Sequence, residues 1–149
     1  KQWDESMFSG YELIMINFWE PWCPPCVREM PDLEKLYENY KDKGFLLLGV
    51  YSSTNREAEV KGVPKDAGTT YPILKYTGNF NIFKSGYVPT TVFIDRNGHV
   101  LYPELTEEEL NKVAEDILTL GSDAYTKYNA LYVGSNSYEG WSSIIDKLL

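Results

Sequence analysis

A chain of 149 residues with 43% hydrophobic content is long enough to bury one globular core, and nothing in it asks for a second domain. Twenty-two acidic against fourteen basic residues give a net charge of −8, which argues against nucleic acid or an anionic membrane as partner. No apolar run approaches the ~20 residues of a membrane span and the start at Lys1 shows no signal-peptide pattern, although a processed or trimmed chain would read the same way.

Lys1 to Gly10 is mixed and polar around Trp3, Met7 and Phe8, and reads as a short lead-in helix or an irregular segment. Residues 13–19 are a nearly continuous apolar run of strand length, suited to a strand covered on both faces. Val27, Met30, Leu33, Leu36, Tyr37 and Tyr40 follow the spacing of a helix face, predicting a helix from Pro24 to about Lys41. Pro31 must kink that helix or end its first segment, and Gly44 is its stop signal. Phe45 to Tyr51 is a second buried strand, so a parallel pair with a right-handed crossover is expected.

Asn55 can cap a helix through roughly Arg56 to Gly62, interrupted by Pro64 and ended at the Gly68 turn. Tyr71 to Leu74 is a short extended piece, and Asn79 to Lys84 a helical turn. Pro89 to Ile94, the turn Asp95–Gly98 and His99 to Tyr102 read as a hairpin, which makes the sheet mixed. Thr106 and Glu109 form a capping box for a helix to about Leu120, with Leu110, Val113, Ile117 and Leu120 on one face. Asp123 to Tyr132 is Tyr-rich and ambiguous. Asn136 to Glu139 caps a last helix with an inner face of Trp141, Ile144, Ile145 and Leu148.

Both cysteines, Cys23 and Cys26, lie where strand-like sequence gives way to helix-like sequence. The first N–H groups of a helix lack internal partners and its N-terminus carries partial positive charge, so a thiolate at Cys23 is favoured over a thiol. Pro24 and Pro25 fit the first helical positions and bring no N–H, which leaves the Cys26 N–H as the main local donor. A modestly lowered thiol pKa is the expectation, closer to about 7 than to about 4. Cys26, one turn on at a Cα separation of about 5 Å, is then the resolving thiol. An inert staple is the plain alternative, but closing so short a loop stabilises by only roughly 2 kcal/mol. Zinc is disfavoured because His99 is the only histidine and no second cysteine pair exists. Two cysteines do not place the compartment, since a reactive dithiol occurs in reducing and oxidising environments alike.

The succession of strand, Trp22-Cys23-Pro24-Pro25-Cys26 on a helix, strand, helix, then Val88-Pro89-Thr90-Thr91 and a closing helix resembles the thioredoxin superfamily. Asn17 to Pro31, through Trp19, Glu20, Trp22 and Glu29, more closely resembles its TlpA/ResA branch, extracytoplasmic thiol–disulfide oxidoreductases of bacteria. The resemblance covers about residues 8–102 and 131–149, and implies one α/β thioredoxin-like domain over 1–149 with a mixed central sheet flanked by helices. Residues 103–130 look like a helical insertion.

The resemblance also assigns roles. Pro89 matches the family's cis-proline, with a trans proline at a strand start as the alternative; Val88 would offer its backbone to an extended substrate; and Trp22, Pro24 and Pro25 complete the substrate face. Trp22 would pack beside the cysteines and shield them, while Trp19 is core. Asn17 stands where thioredoxins carry a buried Asp, so Glu29, one turn beyond Cys26, is the candidate acceptor of the Cys26 proton, against the reading of an ordinary solvated glutamate. Glu20 departs from the small residue usual there, and reads either as a charge opposing the Cys23 thiolate or as a surface residue.

The activity implied is disulfide reduction through Cys23 and Cys26, needing no metal and no cofactor besides the redox disulfide. A disulfide-bearing protein substrate, a membrane-associated thiol donor, an extracytoplasmic site and a monomeric state go with it. A binding module that uses 103–130 as its partner surface is the alternative. A redoxin-type peroxidase is disfavoured, because Glu20 occupies the position of its required threonine.

Overall fold

The computed structural model describes residues 5–53, 55–75, 87–121, 123 and 130–149, apart from the side chains of residues 5–7 and 117. The expected turn at Asn79–Lys84 lies outside them. Five strands form one mixed sheet in the order β3-β2-β1-β4-β5: β1 is Leu13–Phe18, β2 Phe45–Tyr51, β3 Ile73–Lys75, β4 Thr90–Asp95 and β5 Tyr132–Val133. Among the described residues the principal helices are α1 (Pro24–Tyr40), α2 (Glu57–Asp66), α3 (Glu107–Leu120) and α4 (Tyr138–Leu148), and Glu5–Gly10 makes a 3₁₀ lead-in. Strands β1 and β2 run parallel with Leu13 opposite Phe45, and β4 runs antiparallel to β1 with Asn17 opposite Thr91.

Every residue of β1 and β2 is buried, as two-sided cover requires. Alternation sorts their side chains. Leu13, Met15, Phe45, Leu47 and Phe93 face α1 and α4, meeting Leu33, Leu36, Trp141 and Ile145. Ile14, Ile16, Leu46, Leu48, Val92 and Ile94 face the other way, with Phe8. Asn17 shares the parity of Leu13 and Met15, so the strand aims a polar group at the α1 side.

Helix α1 runs unbroken past Pro31, and Gly44 ends the following 3₁₀ turn at φ 81°. Several expectations are corrected. Helix α2 begins with Arg56 as N-cap rather than Asn55, and contains Pro64 instead of being interrupted by it. The second arm of the hairpin shrinks to one bridge, Ile94 to Val100, because Pro103 carries no N–H to extend the ladder. Beyond that point Thr90 and Thr91 pair with β5, whose Tyr132 closes the ambiguous tyrosine-rich stretch. The capping box of α3 forms reciprocally, Glu109 N–H to Thr106 Oγ1 at 3.3 Å and Thr106 N–H to Glu109 Oε1 at 3.2 Å. Its expected apolar face is not buried as a whole: Val113 is, whereas Leu110 and Leu120 stay about 40% exposed, and Ile117 lies outside the described side chains. Helix α4 is capped by Ser137, one residue later than expected, through the Gly140 N–H.

Candidate active site

Cys23 is the N-cap of α1 and has extended backbone, with Pro24 and Pro25 in the first two helical positions. The two sulfurs are joined as a disulfide across a Cα separation of 5.3 Å, and the Cys26 N–H donates to Cys23 Sγ at 3.3 Å. That N–H is the local donor the two prolines leave standing. The Val88–Pro89 peptide bond is cis, and the Val88 carbonyl oxygen lies 3.6 Å from Cys23 Sγ. The loop before β4 thus comes against the sulfur that the helix start presents. The Pro89 carbonyl is occupied on its other side by the Gly134 N–H at 2.8 Å, which ties this loop to the end of β5.

Both cysteines are nearly inaccessible, 3% and 1% exposed, in a cluster with Trp19, Met30, Tyr51 and Val60, against which Val88 packs. Trp22 takes no part in it. At 54% exposure Trp22 presents an aromatic surface as expected, while Trp19, which follows β1 inward, packs in the buried cluster with the sulfurs. Pro24 is exposed and Pro25 half-buried.

Among the described residues, three carboxylates sit inside the fold. Glu29 is 3% exposed, so the solvated reading fails. Its Oε2 accepts the Trp141 indole N–H at 2.9 Å and the Asn136 backbone N–H at 2.8 Å, while Oε1 faces the Asn17 amide at 3.3 Å. Asn17 also donates to Thr91 Oγ1 at 3.0 Å. Burial pushes the Glu29 carboxyl above its ordinary value, and the donors from Asn136, Trp141 and Asn17 pull against that shift.

Glu20 is 6% exposed, so its surface reading fails as well. It takes the backbone N–H and hydroxyl groups of Ser52 and Ser53, fastening the segment after β2 to the cysteine motif. Glu34, which the sequence reading missed, is 7% exposed and accepts the Thr70 N–H and hydroxyl, each at 2.7 Å. Its signal was present: Glu34 interrupts the apolar stripe between Met30 and Tyr37, and a carboxylate inside such a stripe demands buried donors. Among the described residues, no group of three or more His, Cys, Asp or Glu side chains could hold a metal ion.

The family model described as Redoxin matches residues 4–118. The chain belongs to the redoxin family. This redoxin is 34% identical over 109 residues to the thiol-disulfide oxidoreductase ResA of Geobacillus kaustophilus, covering 70% of its own length and 62% of that relative's. It is 35% identical over 109 residues to ResA of Oceanobacillus iheyensis, covering 70% and 56%. The chain therefore spans about three-fifths of the length of these curated relatives. Its fold is that of the thioredoxin superfamily. A thiol:disulfide interchange protein from Chlorobium tepidum superposes with a TM-score of 0.71 over 100% of this chain and 88% of its own, at 23% identity.

Proposed function

We propose that this redoxin is a thiol–disulfide oxidoreductase that reduces exported protein disulfides. One observation carries the reading: a disulfide at a helix start, its Cys23 sulfur 3.6 Å from the carbonyl of the residue before a cis-proline. In the reduced enzyme the Cys23 thiolate attacks one sulfur of a substrate disulfide, and the other substrate sulfur leaves as thiolate. The substrate chain extends along Val88 and Pro89, with Trp22, Pro24 and Pro25 at its face. Glu29 takes the proton of Cys26, whose thiolate attacks Cys23 Sγ; the second substrate thiolate leaves and the Cys23–Cys26 disulfide forms. Two electrons pass from the enzyme dithiol to the substrate.

The reading treats residues 1–149 as one domain carrying 103–130 as an insertion. It makes the enzyme an extracytoplasmic monomer, recharged by a membrane-associated thiol donor; the oxidoreductase part of the reading is supported by the likeness to relatives named thiol-disulfide oxidoreductase ResA. No described helix is long and apolar enough to cross a membrane.

A binding module is the second reading, favoured by the exposure of Leu110, Leu118 and Leu120 on α3. Insulin reduction separates the two, since the enzyme shows turnover that Cys23→Ser abolishes, whereas the module shows none. The reduction potential tests the direction. A value near or below thioredoxin's, about −270 mV, is expected, and one near about −120 mV would make the protein a disulfide donor instead.

A further inference from the structure

We infer that Trp141 is a positioning residue for the resolving half of the reaction: its indole N–H, together with the Asn136 backbone N–H, pins one oxygen of Glu29 and leaves the other to take the Cys26 proton. This deepens the proposed function and rests on Glu29 acting there as the proton acceptor.

The two carboxylate oxygens are unequal. Oε2 holds two short bonds from the C-terminal segment, at 2.8 and 2.9 Å, while Oε1 has one long contact of 3.3 Å from an amide that also serves Thr91. A carboxylate oxygen that already accepts two N–H groups has little capacity left for a proton. Oε1 keeps that capacity. Trp141 is itself fixed, 1% exposed, edge-on to Phe93 and Tyr132 at centroid distances of 6.0 and 5.7 Å, so its N–H direction is set before the reaction begins.

Sequence position makes the arrangement informative. Trp141 lies 112 residues beyond Glu29, on a helix that contributes no cysteine and no part of the cis-proline loop. A tryptophan needed for packing alone could be replaced by phenylalanine with little chemical effect. One that holds a proton acceptor could not. The acidic and phenolic groups acting on the same site are Asp32 on α1, which further raises the Glu29 carboxyl, and Tyr71 before β3, which senses the Glu29 charge.

The resolving step is balanced as Cys26–SH plus Glu29–COO⁻ giving Cys26–S⁻ plus Glu29–COOH, after which the thiolate displaces the Cys23-bound partner. It is read by forming the mixed disulfide of Cys23 with a coloured aromatic thiol and following release of that thiol against pH. In the native protein the rate falls on the acid side as Glu29 takes up a proton. Trp141→Phe keeps an aromatic ring and removes the donor. The acid limb should then move up by about one pH unit, a tenfold change in proton affinity, with release at high pH preserved. A folded Trp141→Phe protein with an unmoved limb would overturn the inference.

The native protein supplies a second readout that needs no stable variant. The Trp141 indole N–H resonance should titrate with the midpoint of the acid limb and lose that titration in Glu29→Gln; a resonance flat across that range overturns the inference. The underlying reading fails separately, if Glu29→Gln itself retains the acid limb.

Discussion

Glu20 takes both hydrogen-bond donors of Ser52 on a single oxygen: Oε2 accepts the backbone N–H at 2.9 Å and the hydroxyl at 2.6 Å, and Oε1 receives the matching pair from Ser53. Glu20→Ala strands four donors beside the cysteine motif. Hydrogen bonds to a charged group contribute about 1.5 to 3 kcal/mol each, part of which water would recover here, so a loss of about 2 to 4 kcal/mol is expected by urea unfolding. Amide exchange should accelerate at Ser52 and Ser53 before it does so in β1. Equal exchange in both proteins would count against the clamp.

Glu29 gives the protein a pH-dependent stability of defined sign. Burial raises its folded pKa above the ordinary 4.5, so in the window between those values the folded chain holds a proton that the unfolded chain has lost. Stability from this group is therefore full below 4.5 and falls as pH rises through the raised folded value. Glu29→Gln has no such slope. Urea melts at about pH 4 and about pH 8 should show the variant gaining on the native protein at the higher pH, while its disulfide turnover falls.

Trp22 is 54% exposed and outside the cysteine cluster, so Trp22→Ala should change stability by no more than about 0.5 kcal/mol. If it meets the substrate face, losing an aromatic contact of about 0.5 to 1.5 kcal/mol raises KM for a protein disulfide by roughly 2- to 10-fold. Turnover of a small aromatic disulfide should be unchanged. Parallel kinetics on the two substrates check both halves.

Gly49 sits where β2 passes Trp19 closely. A Cβ there would lie 2.8 Å from Ile73 Cδ1 and 3.2 Å from both Trp19 Nε1 and Tyr71 Cε2. Ile73 can turn aside but two buried rings have less room, so Gly49→Ala should cost about 1 to 3 kcal/mol in thermal or urea unfolding. Because Trp19 packs on the cysteines, the same variant should let dithiothreitol reduce the Cys23–Cys26 disulfide faster.

What could be read from the chain directly was what neighbours in sequence decide. The apolar runs of β1 and β2, the stripe of α1, the stop at Gly44 and the Thr106–Glu109 box each depend on residues within a turn or on alternate positions. The placement of Cys23 at a helix start, with the Cys26 N–H as its donor, is local in the same way. The arm His99–Tyr102 looked like a strand for equally local reasons, yet it holds only the Ile94 end of β4, and Thr90 and Thr91 pair with Val133 and Tyr132, a competitor far along the chain.

The buried carboxylates mark the limit most sharply. Whether a glutamate on a helix is solvated or enclosed depends on donors that offset its desolvation, and for Glu20, Glu34 and Glu29 these lie 32, 36 and up to 112 residues away. Sequence by itself determined the dithiol, its helix and the parallel pair of strands on either side of that helix. Only the tertiary structure decided which acids surround that dithiol, because a buried charge is stabilised by the donors that folding brings to it, not by its neighbours along the chain.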